Sequence, residues 1–217
     1  MELNINTFEQ LKEACISRNK QIYEIAQENM AMESDMTVEL VRTFAAKSLY
    51  AMKEAIQSGM ASKELSMSGM CGQDCFKVQK RYKSERAMFG SVFEKIIEYA
   101  LATSEENIRM GKIVACPTAG SCGILPAALV AVSEEFNHSE REQLNALITA
   151  GEIGRIISAK VSLAGAVAGC QAECGVASAM SAGAVCQLRG GNVSQILNAA
   201  ALAMKNLLGL TCDPVAG

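Results

Sequence analysis

The stretch from Val161 to Cys186, VSLAGAVAGCQAECGVASAMSAGAVC, limits what this chain can fold into more than any other part of it. It is built almost wholly of small and apolar residues, has no proline, and carries Gln171 and Glu173 near its middle. It is long enough to cross a bilayer, and its paired small residues resemble a membrane packing face. A charge at that depth in lipid is expensive, however, and Ala and Gly supply most of the apolarity. The reading that fits both facts is a helix buried on all sides inside a water-soluble bundle, with no membrane involved.

The rest of the chain is consistent with such a bundle. Its 217 residues suffice for one domain with a sizeable core, and 50% of them are apolar. Aromatics are only 5% and Trp is absent, so the core must come from Ala, Ile, Leu, Val and Met. The three prolines, Pro117, Pro126 and Pro214, leave long helices uninterrupted. Thr7 with Gln10, Ser139 with Glu142 and Asn192 with Gln195 are helix-opening capping signals. Apolar residues at helical spacing predict a helix from Met36 to Gln57, stopped by Ser58-Gly59. Residues 59–75 read as a loop, and helical pattern returns from Phe76 to Thr103. No internal repeat and no strand-length alternation is found. The expectation is an all-α, single-domain helical bundle over residues 1–217, around a central buried Ala/Gly-rich helix.

The net charge of −3 excludes the basic surface that nucleic-acid binding needs. The basic run from Lys77 to Arg86 reads as a solvated helix face. Nine cysteines, an odd number, and an N-terminus without a secretory pattern place the chain in the cytoplasm, where thiols stay free or bind metal.

Three segments have a composition unusual for packing alone. In the first, Cys116-Pro117-Thr118-Ala119-Gly120-Ser121-Cys122-Gly123 precedes the apolar run ILPAALVAV. A Gly-rich, hydroxyl-bearing loop before a helix offers backbone N–H groups to an anion such as a carboxylate. The same residues also read as an ordinary helix start with Ser121 as N-cap. The second and third segments are Gly169-Cys170-Gln171-Ala172-Glu173-Cys174 and Leu210-Thr211-Cys212-Asp213-Pro214-Val215-Ala216-Gly217. Their thiols read either as small buried hydrophobes, as Cys15 and Cys186 do, or as metal ligands. Zinc does not fit: there is no Cys-x-x-Cys pair, and the only histidine, His138, lies in a hydrophilic stretch expected at the surface.

Taken in order, "PTAGSCGILPA", "GCQAECGVASAMSAGA" and "GLTCDPVAG" resemble the signature segments of the iron–sulfur-dependent L-serine dehydratase α chain. The resemblance implies that Cys170 and Cys212 are two of three cysteines holding a 4Fe–4S cluster, and that Thr118, Ala119, Gly120 and Ser121 face the substrate. The family's third cysteine lies shortly beyond DPVAG, so the reading expects a chain incomplete at its C-terminus, with Cys174 or Cys116 as the available substitutes. Departures from the family pattern are Cys71 where Thr or Ser is usual, Gln73 for a second Gly, Lys160 for Asn and Ala164 for Ser.

The implied reaction is deamination of L-serine to pyruvate and ammonia, with a cluster iron acting as Lewis acid on the hydroxyl. The resemblance also implies a β subunit of the same enzyme and a homo- or hetero-oligomer. A base must take the Cα proton. Lys160 and Glu173 are the candidates, both expected to be buried, because burial moves such groups toward neutrality. Glu173 also reads as a structural acceptor for helix-terminal N–H groups. The alternatives are a related L-cysteine desulfidase and a non-catalytic truncated subunit.

Overall fold

The computed structural model describes residues 5–84 and 89–210. Ten helices follow one another in the described chain: α1 (Phe8–Arg18), α2 (Ile22–Glu33), α3 (Val38–Ala61), α4 (Asp74–Ser84), α5 (Ser91–Ile108), α6 (Ile124–Glu135), α7 (Glu140–Ser158), α8 (Gly165–Ala168), α9 (Cys170–Leu188) and α10 (Val193–Lys205). The described residues contain no strand, only an isolated bridge between Leu65 and Gly72. The fold is all-α, as expected, and no described helix is long and apolar enough to cross a membrane.

Local chemistry starts several of these helices. Thr7, Ser139 and Asn192 each accept the N–H of the residue three places on, and Gln10, Glu142 and Gln195 return a bond to the cap backbone. Two orphan amides are satisfied at each such end. Thr37 caps α3 in the simpler way, accepting from the Leu40 N–H at 3.2 Å.

Two glycines behave differently from their sequence reading. Gly59, expected to stop a helix, lies inside α3, which runs on to Ala61. A Cβ there would collide with the Ala102 carbonyl of α5, so this glycine permits a close helix crossing. Gly169, expected in the middle of one long helix, breaks it instead. It sits at φ 81°, ends α8 and precedes the first residue of α9. The helix expected over Phe76–Thr103 is likewise two helices, and Gly90 at φ 91° precedes α5.

Helix α9 is the axis of the molecule, packed against α6, α7 and α10. From Gly175 to Ala184 its residues are mostly buried, and small ones let its neighbours close in. At Gly183 a Cβ would run into Ile153 of α7, while a Cβ at Gly154 of α7 would come within 2.8 Å of Met180 Sδ. Around this axis Leu11, Ile22, Ile25, Leu49, Met52, Leu125, Leu129, Ile153 and Ile196 fill the core. Burial on all sides does not extend to the first residues of α9: Cys170 to Cys174 are half-buried, and Ala166, Val167 and Ala168 just before them are exposed.

Candidate active site

Three chain segments meet at the start of α9: one loop distant in sequence, and two helices joined at Gly169. The first is the loop Cys116–Gly123. It enters through a cis peptide bond between Cys116 and Pro117 and is tightened by bonds from Cys122 N–H to Ala119 O and from Ile124 N–H to Ser121 O. The loop is pressed onto α5: a Cβ at Gly123 would lie 2.6 Å from Ala100 O and 2.8 Å from Ser104 Oγ. No side chain caps α6; Gly123 holds the N-cap position. Ser121 is therefore not the N-cap. Its side chain is turned inward, 1% exposed, and its hydroxyl lies 3.2 Å from Thr118 Oγ1 and 3.5 Å from Cys116 O. Ser121 shapes the loop from beneath, while Ala119 and Gly120 form its exposed crest and Thr118 is half-buried. Among the described residues, the N–H groups of Thr118, Ala119, Gly120 and Ser121 meet no acceptor.

The second segment is α9 itself. Glu173, in its first turn, brings its carboxylate to the crest of the loop: a Cβ at Gly120 would lie 3.4 Å from Glu173 Oε1. The third segment is α8, where a Cβ at Gly165 would collide with the same carboxylate. Glu173 thus fits between two glycines, and a side chain at Gly165 would displace it. Cys170 stands one turn before Glu173 on the helix, and Cys174 follows it; both are half-buried.

Helix α10 runs antiparallel to α9. Ile196 lies beside Gly183, and Met204 beside Gly175. The chain therefore leaves α10 near the end of α9 that carries Cys170. Cys212 lies outside the described residues, and among those described no group of three His, Cys, Asp or Glu side chains is placed to hold a metal.

The thiols differ sharply in environment. Cys116 is 4% exposed, and burial, with a smaller contribution from Cys122, pushes its pKa up to about 12. Burial also raises that of Cys122. Both thiols are turned into the core beneath the loop rather than toward solvent. Cys170 and Cys174 suit a soft metal better. They are reachable from solvent, and Cys170 is the first residue of α9, where the helix dipole favours negative charge.

Lys160 is corrected by the structure. It follows the end of α7 and is exposed, and its ammonium pairs with no group among the described residues. The burial on which its candidacy rested is absent. Glu173 is half-buried rather than buried. His138, expected at the surface, keeps only 11% of its side chain exposed, with Nδ1 3.5 Å from Glu142 Oε1.

The serine dehydratase alpha chain family matches residues 17–217. The chain belongs to that family. Among its relatives, the L-serine dehydratase alpha chain of Peptoniphilus asaccharolyticus is 37% identical over 213 residues, covering 98% of this chain and 73% of that one. The probable L-serine dehydratase alpha chain of Bacillus subtilis is 37% identical over 209 residues, covering 91% and 69%. The L-serine dehydratase of Helicobacter pylori (strain 26695) is 34% identical over 224 residues, and there the match covers 99% of this chain but only 48% of the longer relative. Membership makes this an enzyme chain of the lyase class, and the alpha designation is that of one chain in a multi-subunit enzyme. Within this serine dehydratase alpha chain, the residues that sequence reasoning missed are on α5. Asn107 donates from Nδ2 to Ala119 O at 3.0 Å, and Glu105 accepts the N–H groups of Asp74 and Cys75 at the start of α4. No motif marks either residue, because their roles come from where α5 crosses its neighbours.

Proposed function

We propose that this chain deaminates L-serine to pyruvate and ammonia, in the cytoplasm, within an assembly that includes a β subunit. The observation that carries the reading is the pairing of unlike groups across one small space. Four backbone N–H groups, from Thr118 to Ser121, are without acceptors among the described residues, and the Glu173 carboxylate approaches the same loop at Gly120 from α9. An amino-acid zwitterion is complementary to that pair. Its carboxylate suits the N–H cradle, and its ammonium and acidic Cα–H suit the neighbourhood of Glu173.

In this reading Thr118, Ala119, Gly120 and Ser121 bind and orient the carboxylate, with Ser121 acting from below by holding the Thr118 hydroxyl. Glu173 accepts the Cα proton in the same reading, which its approach to the loop at Gly120 supports. Loss of that proton and of the β-hydroxyl leaves aminoacrylate, which tautomerises to the imine and hydrolyses to pyruvate and ammonia. Cys170 and Cys212 would hold a 4Fe–4S cluster, which when bound supplies a Lewis-acidic iron for the departing hydroxyl. The soft, half-exposed thiol at the start of α9 fits such a group, and the antiparallel return of α10 supports Cys212 as its companion.

The test is anaerobic reconstitution of the protein with its β subunit, iron and sulfide, followed by pyruvate and ammonia release from L-serine. Turnover of serine with a Gly120→Val variant inactive is the expected result. Sulfide release from L-cysteine without serine turnover would move the substrate to the desulfidase class. Absence of both, with no iron retained, would leave a non-catalytic subunit.

A further inference from the structure

Helix α5 carries none of the motif residues, yet its last turns hold the substrate loop from behind. It is fixed in place by three independent contacts. Gly59 of α3 crosses it at Ala102 with no room for a side chain, and Gly123 closes on Ala100 and Ser104. Glu105 Oε1 accepts the N–H groups of Asp74 at 2.5 Å and Cys75 at 3.2 Å. The Glu105 side chain is only 5% exposed and lies beside Arg109, which is 8% exposed and bonds Glu106. From this fixed base, half-buried Asn107 reaches up to the loop crest and donates to Ala119 O.

The geometry of a peptide unit gives that bond its meaning. In a trans peptide the C=O and the N–H of the next residue point in opposite directions. The Ala119 carbonyl and the Gly120 N–H belong to one such unit. Drawing the carbonyl toward α5 turns the Gly120 N–H away from α5, on the crest that Glu173 approaches. The Cys122 N–H holds the same carbonyl at 3.3 Å, but from within the turn. Among the described residues, Asn107 alone ties the plane of this peptide to the helix behind it.

We propose that Asn107 is a positioning residue that aims the Gly120 N–H at the substrate carboxylate, setting affinity for the amino acid without taking part in bond breaking. This rests on the reading of the loop as the carboxylate cradle. It explains how an exposed loop without a side-chain cap keeps a peptide orientation that solvent would otherwise let it lose. It also predicts a discrimination. Ligands that carry a carboxylate should sense Asn107, whether or not they carry a hydroxyl.

The experiment compares reconstituted holoenzyme of wild type, Asn107→Ala, Asn107→Gln and Asn107→Asp. With L-serine, Asn107→Ala is expected to raise KM about five- to tenfold, the effect of one hydrogen bond, with kcat within about twofold. Inhibition by L-alanine, which keeps the carboxylate but has no hydroxyl to lose, should weaken by the same factor. Asn107→Gln keeps a donor and should recover part of the loss. Asn107→Asp, of equal size, sets an acceptor against the carbonyl and should raise KM further. It also keeps the experiment readable if Asn107→Ala does not fold. An active wild type whose Asn107→Ala and Asn107→Asp variants keep their KM overturns the proposal, as does a fall in kcat at constant KM. A wild type that does not turn over L-serine overturns the reading of the loop itself, and this inference with it.

Discussion

The two ends of the Ala/Gly-rich segment have nearly the same composition and opposite fates. From Gly175 to Ala184, small residues serve contact: α7 approaches so closely that a methyl group at Gly183 would run into Ile153. From Gly165 to Cys174, small residues serve access: Gly165 and Gly120 leave room for the Glu173 carboxylate, and Gly169 ends one helix so that another can begin at the site. Smallness by itself is therefore uninformative. What distinguishes the two ends is whether the vacated volume is filled by a neighbour's core side chain or by a functional group.

Substitutions at each end should separate those roles. The largest effect is expected from Glu173→Gln, which keeps the shape and removes the charge. Serine turnover by the holoenzyme should fall by about a hundredfold or more, with an unchanged melting temperature. An unaltered kcat would remove Glu173 from the chemistry. At the buried end, Gly183→Val should cost about 1–3 kcal/mol of stability by overpacking against Ile153, read as a lowered denaturant midpoint. If the variant is as stable as the wild type, the close contact between α7 and α9 is not a constraint.

A pH series probes the buried floor under the loop Cys116–Gly123. The Cys116 thiol stays neutral in the fold up to about pH 12, whereas its ordinary value is 9.0. Between those limits the unfolded chain holds fewer protons than the folded one, so stability falls as pH rises, by up to about 1.4 kcal/mol per unit. Chemical denaturation of Cys116→Ala between pH 8 and about 11 should show a shallower decline than wild type. Equal slopes would mean that this thiol is not held neutral. The smallest effect is expected at Lys160→Ala, where an exposed ammonium leaves and kcat should change less than about twofold. A large loss there would show that Lys160 reaches the site in the assembled enzyme.

What the sequence disclosed follows from the range of each interaction. The capping boxes at Thr7, Ser139 and Asn192 are local, within three residues, and each opens a helix in the structure. Gly59 and Gly169 were ambiguous, because a glycine that stops a helix and one that admits a neighbour look alike until the neighbour is known. The Ser121 hydroxyl had the right spacing for an N-cap, but the loop turned it inward toward Thr118. Lys160 was expected to be buried by its surroundings, yet the residues after it are mostly exposed and do not become helical until Gly165. At the site, motif resemblance picked out the loop and expected burial picked out Glu173; the fold brings the two together. Asn107 and Glu105 left no trace in the sequence, since a helix that supports a loop from behind does so through contacts of no fixed spacing.

The break at Gly169 has a consequence for how such a site can vary. Helix α9 is one rigid rod, and its angular setting is locked at the far end where Gly183 meets Ile153. Each residue added to a helix turns what precedes it by about 100°. One inserted residue between Glu173 and Gly175 would therefore swing the carboxylate off the loop and carry the Cys170 thiol with it, while every core contact beyond remained in place. Divergence of this site can proceed by exchanging side chains on a fixed spindle, whereas changes of length are confined to the exposed approach before Gly165.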